Sequence, residues 1–127
     1  MKLNPENDYI HFSTDGRAEV IPGGSAFWSL PPDEMAAFDR GWLVTEHVFT
    51  EDWLNWEMHP EGDELVYLLD GEVAMLLERP SGTTVTHLVD RGAVLVPRGL
   101  WHTARVLKPS RMLFMTRGAG TCHKPVN

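Results

Sequence analysis

A chain of 127 residues with 43% apolar and 23% charged side chains has the size of one domain and the balance of a folded globular protein, which excludes a disordered polymer and a second full domain. A net charge of −7 with no Lys/Arg cluster excludes a surface that tracks nucleic-acid phosphates. No apolar run approaches the roughly 20 residues of a membrane helix, and MKLNPENDYIHF at the start carries no signal-peptide core, so a cytoplasmic protein with neither nucleic acid nor membrane as partner is expected. The lone Cys122 suits a reducing compartment, since it cannot form an intramolecular disulfide.

Charge is divided along the chain. Residues 1–64 hold fourteen Asp/Glu against three Lys/Arg, and residues 65–127 hold four against eight. Acidic N-terminal segments are therefore expected to pack on the basic C-terminal half, within one chain or across a dimer.

The predicted elements are mostly strands. Arg17 to Ile21 and Trp42 to Phe49 are rich in strand-forming residues, with Pro22-Gly23-Gly24 after the first. Between them, Pro31-Pro32-Asp33-Glu34-Met35-Ala36-Ala37-Phe38 predicts a short helix of about two turns, with prolines at its entry and acids in its first turn. From Glu64 the pattern sharpens: ELVYLL, Asp70-Gly71 and EVAMLLE read as two strands around a two-residue primed turn, because Asp-Gly tolerates positive φ. Pro80-Ser81-Gly82 predicts another turn. Then TTVTHLV, AVLVP, WHTARVL and RMLFMT follow, separated by Asp90-Arg91-Gly92, Pro97-Arg98-Gly99 and Lys108-Pro109-Ser110. So many short strands in a small domain imply a closed barrel or a sandwich. Leu65, Tyr67 and Leu69 are as apolar as Val66 and Leu68, so both faces of that strand are expected to be covered, the outer one by a second copy in a homodimer.

Candidate chemistry sits in two places. In NWEMHPEGDELVYLLDG, an extended strand points Glu57 and His59 the same way, and Pro60-Glu61-Gly62-Asp63 turns the chain so that Glu64 shares a face with Val66 and Leu68. If that face is the interior, Glu57, His59 and Glu64 converge in an apolar cavity, where charges are costly unless paired or bound to a cation. Glu61 and Asp63 read as solvated turn residues. After the turn Pro97-Arg98-Gly99, His102 shares a strand face with Ala104 and Val106, and the small Ala104 leaves room beside the imidazole. Two imidazoles from different strands plus carboxylates form a reasonable set for Fe(II), Mn(II), Zn(II) or Ni(II). His11, His47, His87 and His123 lack spacing partners and read as surface or hydrogen-bonding groups. Cys122-His123 reads as part of a mobile C-terminal tail, and the five tryptophans as core and interface residues.

Together these residues resemble the cupins, whose first motif is written G-x5-H-x-H-x(3,4)-E-x6-G and whose second is G-x5-P-x-G-x2-H-x3-N. Here the first reads Glu57-x-His59-x4-Glu64-x6-Gly71 and the second Pro97-x-Gly99-x2-His102, and the resemblance spans about residues 40 to 117. It implies an all-β double-stranded β-helix, a jelly-roll barrel with a short N-terminal helix. Residues 1–39 would be strands and helix packing on the barrel, 40–117 the barrel, and 118–127 the tail. It also implies a divalent metal held by His59, Glu64 and His102. Glu57 stands where the first motif has its first His, Arg91 where the second has its opening Gly, and Val106 where it ends in Asn. Glu57 is thus either a fourth ligand of a more anionic site or an acid/base group beside a three-ligand site. The relatives' range implies a small oxygen-rich ligand and dioxygenase, isomerase or lyase chemistry, and leaves open a ligand-sensing module and a metal-free structural barrel.

Overall fold

Two long, bent strands organise the chain. The computed structural model describes residues 1–127 and contains β1 (Asp8–Phe12), β2 (Ala18–Pro22), β3 (Trp42–Phe49), β4 (Asn55–Met58), β5 (Glu64–Arg79), β6 (Gly82–Val89), β7 (Gly92–Val96), β8 (Trp101–Thr116) and β9 (Cys122–Pro125). β5 and β8 are each 16 residues long and run antiparallel to one another from Leu65↔Met115 to Glu78↔Trp101. In its first half β5 also pairs with β7, and in its second half with β6. β8 pairs with β3 through Ser110–Thr116 and meets β4 at Glu57↔His102. The result is a jelly-roll barrel, a double-stranded β-helix, with every strand pairing antiparallel. No helix is long and apolar enough to cross a membrane.

The inner faces form one core. Val66, Leu68, Met112 and Phe114 from one end of the long strands meet Val73, Met75, Leu77 and Ala104 from the other, all buried. A smaller cluster of Tyr9, Ile21 and Phe27 joins the hairpin β1–β2 to the helical segment. That segment holds a single turn, α1 (Ser25–Trp28), and the expected helix, α2 (Pro32–Met35), which continues as a 3-10 turn over Ala36–Phe38. Pro32 opens α2 and Asp33 and Glu34 fill its first turn, where a fixed φ and negative charge both favour helix entry.

Two expected turns are bends within continuous strands. Asp70-Gly71 does not close a hairpin; the register of β5 against β8 shifts between Leu68 and Val73 while the strand continues. Gly71 has φ 110°, so the positive angle anticipated for a hairpin is present but serves a bulge. The parity of the buried residues shows the insertion: Glu64, Val66 and Leu68 are buried before it, and Val73, Met75 and Leu77 after it. Lys108-Pro109-Ser110 lies alongside as the matching bend of β8. The buried Ser110 hydroxyl accepts from the Glu72 N–H at 3.0 Å and donates to the Lys108 carbonyl at 2.7 Å, which satisfies backbone groups that the bulge frees. The turn at Pro80-Ser81 is a true hairpin between β5 and β6.

The C-terminal residues depart from expectation as well. Instead of a mobile tail, Cys122–Pro125 is strand β9, antiparallel to β4 from Asn55↔Pro125 to Met58↔Cys122. β4 touches β8 at one residue pair, so β9 covers what would otherwise be an open edge. The divided charge is partly resolved within the chain: Arg111 of the basic half pairs with Glu46 at 2.6 Å and Glu6 at 3.3 Å.

Candidate metal centre

Four local decisions bring the candidate residues together. β4 delivers Glu57 and, just past its end, His59; the turn through Gly62 returns the chain so that Glu64 opens β5; His102 is the second residue of β8. Gly62 has to be small, because a Cβ there would lie 2.8 Å from the Trp42 ring. The two motif turns are tied to each other by the Gly99 N–H donating to the His59 carbonyl at 2.9 Å and the Arg98 N–H donating to Asp63 Oδ1 at 2.8 Å. Asp63 is thus a turn-to-turn brace, and Glu61 is exposed.

Ligand-capable atoms of Glu57, His59 and His102 all lie within 4.8 Å of one another. Glu64 Oε2 is 3.3 Å from His59 Nε2, and Oε1 is 3.1 Å from His102 Nε2. The structure therefore gathers all four candidates, three of them deeply buried: His102 is 0% exposed, Glu64 3% and His59 6%. Glu57 is half-buried, with Oε1 3.9 Å from His59 Nε2 and Oε2 3.3 Å from His123 Nε2.

Hydrogen bonds set which edge of each imidazole faces inward. The Leu100 carbonyl can only accept, so His102 Nδ1 donates to it at 3.2 Å. The Thr121 hydroxyl spends its one proton on the Gly118 carbonyl at 2.9 Å and accepts from His59 Nδ1 at 2.8 Å. Both rings present Nε2 to the centre. His59 Nε2, His102 Nε2 and Glu64 Oε1 are buried without an aligned hydrogen-bond partner although they lie close together. Acceptors facing acceptors at this range need a cation between them, either a proton or a metal. The residues fit a divalent ion: two imidazoles oriented through their outer nitrogens, and two carboxylates.

The close contacts also shift the titration of Glu64 and His102. Burial pushes the Glu64 carboxyl up, but the His102 and His59 imidazoles outweigh it and hold it down at about 2. Burial pushes His102 down, and its contact with Glu64 more than reverses this, raising it above its ordinary value. The Thr116 hydroxyl also donates to Glu64 Oε2. Thr116 and Thr121 escaped the sequence reading because they lie outside both motifs and reach the centre only through the fold, and His123, expected in a mobile tail, is brought against Glu57 by the pairing of β9 with β4.

A cavity of about 770 Å³ opens in front of the cluster, lined by inward residues of β3, the helical segment and the loop between β3 and β4. Trp53 of that loop stands edge-on to His102 with ring centroids 6.3 Å apart. Trp28 and Trp53 border this cavity, a placement the expectation of core and interface tryptophans did not include. Trp56 and Trp101 lie together on the other side of β4 and β8, where the Lys124 ammonium sits 5.9 and 4.4 Å from their rings.

No protein-family model and no curated protein sequence matches the chain. Solved structures do. A cupin superfamily protein of Desulfitobacterium hafniense DCB-2 aligns at a TM-score of 0.50 and 21% identity over 59% of this chain and 65% of its own. A single-residue variant of the Bacillus subtilis oxalate decarboxylase aligns at 0.53 and 14% over 58% of this chain, but only 20% of its own length is covered. The hydroquinone 1,2-dioxygenase of Sphingomonas sp. TTNP3, with 4-hydroxybenzoate bound, aligns at 0.51 and 17% over 61% of this chain and 60% of its own. At such identities the likeness concerns the fold.

Proposed function

This chain has the cupin fold, and from that premise we propose that it binds one divalent metal ion through Glu57, His59, Glu64 and His102 and holds a small oxygen-bearing molecule beside it. The observation that supports this most directly is the set of three buried polar atoms, His59 Nε2, His102 Nε2 and Glu64 Oε1, that face one another without hydrogen-bond partners. When bound, the ion supplies Lewis-acid or oxygen chemistry of the kind that metal-dependent dioxygenases, isomerases and lyases use. The chain's own residues do the rest. Thr121 and Leu100 fix the imidazoles, Thr116 orients Glu64, and the cavity receives the ligand. The decarboxylase and the dioxygenase among the similar folds make lyase and oxidoreductase reactions the first to assay. Residues 1–39 belong to this reading as an addition to the 40–117 barrel that walls the cavity. The cytoplasm is the compartment in which the exposed Cys122 thiol stays reduced.

The test is elemental analysis of protein purified without added metal, with close to one divalent ion per chain expected. Protein that binds none of Fe, Mn, Zn or Ni, even when each is supplied, is a metal-free barrel.

Glu57 is the ligand by which this site departs from the resemblance, and its half-buried position leaves it able to reach the ion. Glu57→Ala is expected to weaken metal affinity at least about tenfold, while Glu57→His keeps it, since imidazole serves the same metals. A competition titration with a chelator checks both. Equal affinity for parent and Glu57→Ala would assign Glu57 an acid/base or structural role.

The homodimer is proposed on the outer face of the barrel. Val20, Ile10, Val44, Met115, Leu65 and Leu95 stand in one row across six strands, each pair in register. Leu95 is 67% exposed and Val20 47%. Covering such a row gains roughly 25 cal/mol per Å² of apolar surface before association costs. Light scattering is expected to give the mass of a dimer at tens of micromolar, and Leu95→Glu to give a monomer; a monomeric parent would refute this.

A further inference from the structure

The lining of the cavity also selects the kind of molecule that enters it, an inference that rests on the cavity being a ligand site. On β3, Leu43, Thr45, His47 and Phe49 alternate inward along one wall. Three lining rings form a triangle, of which Trp53 stands 6.3 Å from His102: Phe49 and Trp53 are 5.5 Å apart between centroids, Trp53 and Phe114 5.8 Å, and Phe49 and Phe114 6.1 Å. Aromatic walls favour flat, ring-bearing guests by offset and edge-to-face contact.

Charge narrows the choice further. Five carboxylates border the cavity, Asp39, Glu51, Asp52, Glu57 and Glu64, and no Lys or Arg does. Burial lowers His47 below its ordinary value, so this imidazole adds no positive charge near neutral pH. Glu57 and Glu64 would cancel the charge of a divalent ion. The remaining acids bias the cavity negative, which disfavours an anionic guest as it loses its hydration. A volume of about 770 Å³ is within the range that encloses a ring-sized organic molecule.

We propose that the occupant is an uncharged aromatic molecule carrying a hydroxyl or carbonyl oxygen, its ring against Phe49, Trp53 and Phe114 and its oxygen toward the His59–His102 cluster. This narrows the ligand within the class that the fold implies and sets aside carboxylates, phosphates and sugars.

Calorimetric titration with three probes of similar size tests it: 4-methylphenol, uncharged at neutral pH; 4-methylbenzoate, an anion; and cyclohexanol, uncharged but not aromatic. The phenol is expected to bind about tenfold more tightly than either of the others. Phe49→Leu, which keeps an apolar side chain there, is expected to bring the phenol and cyclohexanol affinities together while the thermal melt shows a folded protein. Equal or tighter binding of 4-methylbenzoate, or no phenol binding at millimolar concentration, overturns the proposal. Running the series on protein as purified and after chelator treatment separates the two readings. Metal without phenol selectivity refutes the aromatic ligand alone; phenol selectivity in a protein that binds no metal refutes the metal centre and upholds the ligand class.

Discussion

His102→Ala is expected to reduce bound metal from about one ion per chain to none. His102 is fully buried, its Nδ1 is committed to the Leu100 carbonyl, and its Nε2 is 3.1 Å from Glu64. Alanine removes a donor that no neighbour replaces and leaves the buried Glu64 with one imidazole instead of two. Thr121→Val acts on the same centre indirectly: it deletes the hydroxyl that orients His59, and such partners commonly contribute 10- to 100-fold in metal affinity, so a loss of about that size is expected. Thr121→Ser should restore most of it. Chelator competition reads all three variants; full metal content in His102→Ala would end the assignment.

The same contacts give a pH signature after chelator treatment. Glu64 is held at about 2 against an ordinary 4.5, so its contribution to stability is present above about 4.5 and lost as pH falls toward 2. His102 is raised above 6.5, so its contribution is present below about 6.5 and lost as pH rises through the higher folded-state value. Denaturant melts of metal-free protein should therefore show the largest contribution from this pair between about pH 4.5 and 6.5. Metal-loaded protein should lose its ion as acid protonates the imidazoles. A metal-free stability that stays flat across this range would contradict the Glu64–His102 coupling.

Gly71→Ala is expected to cost about 2–4 kcal/mol, among the largest single effects on the fold. An added Cβ would overlap the Ser110 hydroxyl and lie 2.6 Å from the Pro109 carbonyl oxygen, at a backbone φ of 110°. Relief would require the bends of β5 and β8 to separate, and with them the bond from the Glu72 N–H to Ser110. Gly16→Ala provides the comparison. Gly16 has φ 90° with nothing within 4 Å of an added Cβ, so only backbone strain of about 1 kcal/mol applies there. Thermal unfolding of both variants distinguishes crowding from strain, and equal shifts would show that the close approach at Gly71 does not matter.

Much of the architecture was legible in residue order. Enrichment in strand-forming residues placed β3 at Trp42–Phe49, as observed, and alternation put Glu64 on the face of Val66 and Leu68, because a strand has a side-chain period of two. The spacing of Glu57, His59 and Glu64 around one turn, with His102 after a second, was enough to nominate residues that the fold does bring together. Ligand-capable side chains near a turn are a local pattern, and local patterns survive folding when both strands reach the same interior. What Asp70-Gly71 does could not be read the same way. A primed hairpin turn and a bulge both ask for positive φ, and the choice between them is made by Ser110, 38 residues beyond Glu72, which supplies the bonds of a continuing strand. Thr121 and His123 became parts of the centre only because β9 pairs with β4. The selectivity of the cavity is likewise tertiary. Phe49, Trp53 and Phe114 are ordinary apolar residues in sequence, and only the packing of β3, β8 and the loop after β3 beside the His59–His102 cluster turns them into one aromatic wall in a cavity lined by no Lys or Arg.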